Sequence, residues 1–133
     1  LTNDLDIVGA LAGKERLKVV MLGGTLRRRN MAFYGEQAMA ALDELHVDRL
    51  FLGVDGFDLE RGITTHYEPE AVLNRKMVRA ARQVIAVADH TKFGRSCLHR
   101  IINVADIHDL VTDAASDDTE RAAERLGFRL HVA

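Results

Sequence analysis

Four short apolar runs, Val19–Leu22, Leu50–Val54, Val84–Ala88 and Leu110–Val111 with Thr112, constrain this chain more than any other feature. None alternates apolar with polar residues as a half-wetted antiparallel strand does. Unbroken Val, Leu and Ile are the pattern of strands covered on both faces, which occur mainly in parallel sheets. Between the runs lie segments with helical spacing. Ala38, Ala41, Leu42 and Leu45 form one stripe along Glu36–Leu45, and Leu73, Met77, Ala80 and Ala81 form another along Glu70–Arg82. A further helix is predicted over Ser116–Leu126, with Asp117 three residues before Glu120 as a capping-box start and Gly127 as a stop. Pro69 falls in the first turn of its helix, where a missing N–H is harmless. Arg129–Val132 reads as a closing strand. Strand, helix, strand, helix predicts βαβ units with right-handed crossovers. The expected architecture is a three-layer α/β fold, a mainly parallel sheet with helices on both faces.

Composition supports layers of aliphatic residues: 47% of the chain is hydrophobic but only 5% is aromatic. A length of 133 residues suits one domain, residues 1–133, and no linker, repeat or low-complexity tract divides it. The formal charge of −2 provides no broad basic field for a phosphate backbone, so direct nucleic-acid binding by this chain is not expected. The single cysteine, Cys97, rules out an intrachain disulfide. No apolar run approaches the roughly 18–20 residues of a membrane span, which makes a cytoplasmic protein with no membrane partner the expectation. The chain opens on Leu1 and passes at once through TNDLDIVGAL, like the end of one element running into a helix. It is expected to be part of something longer.

In open α/β sheets ligands sit beyond the carboxyl ends of the strands, so the residues after each run are the candidates. After Val19–Leu22 comes GGTLRRRN. Gly23 and Gly24 with Arg27–Arg29 allow either a tight turn leading to a solvated basic loop or a loop that cradles an anion. The spacing is neither that of a Walker loop nor that of a dinucleotide fingerprint. After Leu50–Leu52 comes GVDGFDLERG, where Asp55 lies between glycines and is placed to point into a crevice beside Gly56; Asp58 reads as a turn residue. After Val84–Ala88 comes DHTKFG, either a capped turn with a surface lysine or a site at which Lys92 meets a phosphate or carboxylate. The six histidines show no metal-ligand spacing, no nucleophile elbow is present, and Cys97 has no evident base in the sequence. No metal, cofactor or catalytic residue is expected.

The motifs TN (2–3), MLGGTLR (21–27), YGEQA (34–38), VDRLFLGVDGFDLERGITT (47–65), ADHTKFG (88–94) and HDLVTD (108–113) together resemble the C-terminal effector-sensing domain of DeoR-family transcriptional regulators over nearly the whole chain. The resemblance implies a ribose-5-phosphate isomerase-like fold that binds a phosphorylated sugar or related metabolite. It also implies an operator-binding winged helix-turn-helix in an N-terminal domain that this chain lacks, and an oligomeric regulator, usually a repressor of sugar catabolism. The family's first strand and helix, with an Asp-x-Gly-Thr-Thr turn, precede the Thr-Asn motif and are missing here. The ligand-binding residues it implies in this chain are Thr2, Asn3, Gly23, Gly24, Asp55, Gly56 and Lys92.

The resemblance to the isomerases separates receptor from enzyme. Leu52 stands where an isomerase-like chain has the first aspartate of its Asp-Gly-Ala-Asp stretch, the loop ITTHYEP has no lysine, and Arg75 falls where a glutamate precedes a lysine. General acid–base isomerisation needs a base within hydrogen-bond reach of the carbon-bound proton. With Asp55 and Lys92 retained and that base missing, the expectation is a receptor, with a sugar-phosphate isomerase as the alternative.

Overall fold

The computed structural model describes residues Leu1–Ala133, which form two compact units, Leu1–Leu45 and His46–Ala133.

In the first unit, Asp4 caps helix α1 (Leu5–Leu11) by accepting the Ile7 N–H at 2.9 Å. The expected strand Val19–Leu22 is not realised as one. It forms a single parallel bridge, Thr2 to Met21, with Thr2 N–H donating to the Val20 carbonyl and Leu22 N–H to the Thr2 carbonyl. Its partner segment turns helical at Asp4, so the ladder has nothing to extend along. Strands β1 (Thr25–Arg27) and β2 (Ala32–Tyr34) form an antiparallel hairpin. Gly24 makes its entry possible: φ is +128° and an added Cβ would lie 2.3 Å from the Tyr34 carbonyl oxygen. Helix α2 (Glu36–Ala41) tightens into a 3-10 turn over Leu42–Glu44, so the helix expected to Leu45 is shorter and ends in a narrower coil.

The second unit begins with β3 (Val47–Gly53), the hairpin β4 (Gly56–Asp58) and β5 (Gly62–Thr65), and α3 (Glu68–Ala80). It continues through β6 (Ala81–Val87), β7 (His99–Ile102), β8 (Asp109–Thr112), α4 (Asp117–Leu126) and β9 (Arg129–Val132). A parallel sheet runs β3-β6-β8-β9, and a smaller antiparallel sheet runs β4-β5-β7. The chain is therefore α/β with a mainly parallel sheet, as its unbroken apolar runs predict. Because the parallel strands step in one direction and such crossovers are right-handed, α3 and α4 cover the same face. That face carries Leu52, Val84, Ala86 and Leu110, which form one core with Ala71, Ala123 and Phe128. The other face presents Arg49, Phe51, Gln83, Asp109 and Arg129.

Element ends follow local chemistry. Helix α3 stops at Ala80 and not at Arg82 as expected, because Ala81 is extended and pairs with Val47 in the sheet. The cap of α4 is Ser116 and not Asp117: the Ser116 hydroxyl accepts the Thr119 N–H, while Gly127 at φ +82° ends the helix by donating to Ala123. The three-stranded sheet has no counterpart in the sequence pattern, in which ITTHYEP reads as a loop.

Candidate functional site

The carboxyl ends of the parallel strands are marked by Asp55 after β3, the Asp89–Lys92 turn after β6 and Asp113 after β8. Asp55 is exposed, and its Oδ2 accepts a 2.8 Å hydrogen bond from the hydroxyl of Thr65, which is 1% exposed at the end of β5. A buried hydroxyl thus orients a carboxylate in solvent. Gly56 is a packing glycine: an added Cβ would lie 2.6 Å from Thr64 Oγ1 and 2.8 Å from the Arg95 carbonyl oxygen. Thr64 Oγ1 also accepts the Cys97 N–H at 2.9 Å. The loop after the 3-10 turn is thereby drawn close to the start of β4.

Lys92 ends a 3-10 turn, His90–Lys92, capped by Asp89, which accepts from both the N–H and the hydroxyl of Thr91. The Thr91 hydroxyl bond is the main reason the Asp89 carboxyl titrates below its ordinary range, with Lys92 helping. Lys92 Nζ lies 3.9 Å from Asp89 Oδ2, a loose pair, and its side chain is about one-third exposed. The turn is anchored to the hairpin by Gly94 N–H donating to the Phe57 carbonyl at 2.9 Å and by the edge-on Phe57–Phe93 ring pair at 5.3 Å. Across the strand ends, Asp113 accepts the His90 N–H and meets His90 Nδ1, both at 2.7 Å. Each partner shifts the other: hydrogen bonding to Asp113 raises the His90 imidazole, and hydrogen bonding to His90 lowers the Asp113 carboxyl.

The other candidates lie in the first unit. Thr2 and Asn3 sit beside the extended segment that ends in Gly23 and Gly24, which brings these four residues together. Asn3 is largely committed, its side-chain amide donating to the Phe33 carbonyl at 3.0 Å while its own carbonyl accepts the Phe33 N–H. Thr2 Oγ1 accepts the Asp4 N–H at 3.1 Å. Gly23 is open, with no atom within 4 Å of an added Cβ. Of the three arginines, Arg27 belongs to β1, and Arg28 and Arg29 are exposed in the hairpin turn.

The positions that would carry isomerase chemistry are occupied otherwise. Leu52 is 3% exposed in the core, and Arg75 Nη1 donates to the Arg100 carbonyl at 2.6 Å, tying α3 to β7. Cys97 does have a basic neighbour, contrary to expectation: His66 Nε2 lies 3.3 Å from its sulfur. The two are far apart in sequence, so no spacing motif announces the pair. Likewise nothing local pointed to Thr65 or Asp113 as partners of Asp55 and His90. A cleft of about 490 Å³ adjoins the Phe57–Phe93 contact, lined by Phe57, Asp58, Arg61, Phe93, Ser116 and Thr119 among others; none of the seven candidates lines it. Asp58 there serves its own turn, accepting the N–H groups of Glu60 and Arg61.

Residues 1–114 match the DeoR C terminal sensor domain. The chain is 47% identical over 113 residues to a protein of Escherichia coli O157:H7 assigned as the aga operon transcriptional repressor, covering 85% of this chain and 42% of that protein. It is 35% identical to the HTH-type transcriptional repressor GlcR of Bacillus subtilis, covering 85% and 43%. It is 28% identical to the glycerol-3-phosphate regulon repressor of Escherichia coli K12, covering 86% and 45%. The chain spans less than half the length of each of these relatives.

Proposed function

The chain belongs to the DeoR C-terminal sensor domain family, and from this premise we propose that it is the receptor module of a transcriptional repressor of sugar metabolism whose effector is a phosphorylated sugar. Effector binding alters operator binding by a winged helix-turn-helix carried elsewhere in the longer protein, and the regulator acts as a homo-oligomer. The observation that carries this reading is Asp55, a carboxylate at the end of a parallel strand, exposed yet oriented by the buried Thr65 hydroxyl. Such a group recognises sugar hydroxyls as an acceptor. Lys92 supplies a point charge for the phosphate. Leu52 and Arg75, placed as they are, provide no acid–base partner, which favours binding over turnover. One relative is named for a regulon of a phosphorylated polyol, in keeping with an anionic effector.

Regulation requires the effector to prefer one of two arrangements of the protein; a hundredfold preference corresponds to about 2.7 kcal/mol. The test is calorimetric titration of the full-length protein with pentose, hexose and glycerol phosphates, each beside its unphosphorylated counterpart. At least one phosphate ester is expected to bind, and Lys92→Ala to weaken that ester more than its parent sugar. Equal weakening of both would make Lys92 structural. Absence of binding across the panel would refute the sugar-phosphate reading.

A further inference from the structure

The turn after β6 and the turn after β8 are held together by one carboxylate. Asp113 grips the His90 main chain with one oxygen and the His90 ring with the other. This is a tautomer-setting arrangement: with Nδ1 committed to Asp113, the ring offers Nε2, which has no partner within the chain, on a side chain 60% exposed. His90 is two residues from Lys92 and at the carboxyl ends of the strands, the side of an open α/β sheet on which ligands bind.

We propose that His90 is a direct, proton-dependent contact for an anionic group at the ends of β6 and β8, with Asp113 as its positioning residue. The proposal rests on the reading of this domain as a receptor for an anion and adds to it a second binding residue and a pH dependence. Local charge supplies the reason. The charged groups that act on the ring are Asp113 from the loop after β8 and Asp89 from its own turn, with Lys92 paired loosely to Asp89. With neutral His90 these sum to an excess of one negative charge, which repels an anion. With protonated His90 they balance, and Nε2–H becomes a charge-assisted donor. Asp113, by favouring the charged ring, keeps this donor available closer to neutral pH than an isolated histidine would. Anion binding and protonation of His90 are therefore linked, and linkage is reciprocal.

The experiment follows the ring nitrogens of ¹⁵N-histidine-labelled full-length protein by NMR through a pH titration, in inorganic phosphate and in chloride of equal ionic strength. A tenfold preference of phosphate for the protonated ring raises the His90 midpoint by about one pH unit at saturation, by reciprocity. Asp113→Asn retains an acceptor for the His90 N–H but removes the charge, and should lower the His90 midpoint and weaken phosphate binding at neutral pH. An unchanged His90 titration in phosphate overturns the proposal. So does a sugar phosphate that binds His90→Gln with the affinity and pH profile of the unmodified protein, a result that leaves the effector reading intact. Conversely, if phosphate moves His90 while no sugar phosphate binds, the anion contact stands and the sugar reading falls.

Discussion

The hydroxyl of Thr65 donates a 2.8 Å hydrogen bond to Asp55, joining the last residue of β5, in the small antiparallel sheet, to the carboxylate beyond the first strand of the parallel one. Since Thr65 is almost fully buried and Asp55 is exposed, the bond orients the carboxylate more than it stabilises it. Thr65→Val, which keeps the shape and removes the hydroxyl, is expected to cost about 1 kcal/mol of stability in urea unfolding. It should also weaken effector binding several-fold in calorimetry, because the freed carboxylate samples more rotamers. Undiminished affinity would remove Asp55 orientation from the binding account.

Gly62 sits at φ +90°, and a Cβ there would lie 2.3 Å from the Ile102 carbonyl oxygen. Backbone cannot yield as a flexible side chain can. Gly62→Ala should therefore lose about 2–4 kcal/mol in urea unfolding, combining left-handed strain with a displaced strand. Gly9→Ala, inside α1 with no atom within 4 Å of the added Cβ, should be neutral or stabilising by about 0.5–1 kcal/mol.

Asp109 is the buried centre of a polar chain across the sheet. Arg129 grips it through Nε at 2.8 Å and Nη2 at 2.9 Å, His131 Nε2 lies at 2.8 Å, and Gln83 donates at 2.7 Å. The Arg129 guanidinium, above all, holds this carboxyl far below the usual carboxylate range despite its burial. A lowered carboxyl stabilises the fold above its unfolded value near 3.8 and loses that contribution only as the pH falls toward the folded value. Asp109→Asn is expected to lose about 1–3 kcal/mol at neutral pH and to flatten the acid limb of the stability curve, measured by urea unfolding from neutral pH into strong acid.

The His90–Asp113 bond has a different window. A raised imidazole contributes stability below its unfolded value of 6.5 that fades as pH rises through the folded value, while the lowered Asp113 contributes above 3.8 and fades in acid. The bond should therefore stabilise most between these limits. Thermal melts between pH 4 and 8 should show a decline on the alkaline side for the unmodified protein that His90→Gln lacks. The same slope in both would show that the bond contributes nothing measurable.

Much of the architecture was legible because it is local. Leu50–Val54 and Val84–Ala88 announce strands of a mainly parallel sheet by composition alone, although the face that carries Phe51 and Val87 is left exposed, and the apolar stripe through Leu73 announces a helix. The short strands of the antiparallel sheet were not legible: Gly62–Thr65 is too short to show a period, and it is a strand only because β4 and β7 flank it. Val19–Leu22 erred the other way, being strand-like in composition but with a single residue to pair with.

At the site, local pattern is enough to place groups at strand ends: Asp55, Lys92 and the glycines beside them are positioned by the elements they follow. It also determined the family, since the ordered motifs that resemble a DeoR sensor match that domain over residues 1–114. What those groups touch depends on how distant segments fold together. Thr65 for Asp55, Asp113 for His90, and Arg129 for Asp109 are pairings across separate strands, and a hydrogen bond of 2.7–2.9 Å depends on strand order and register that no local pattern encodes.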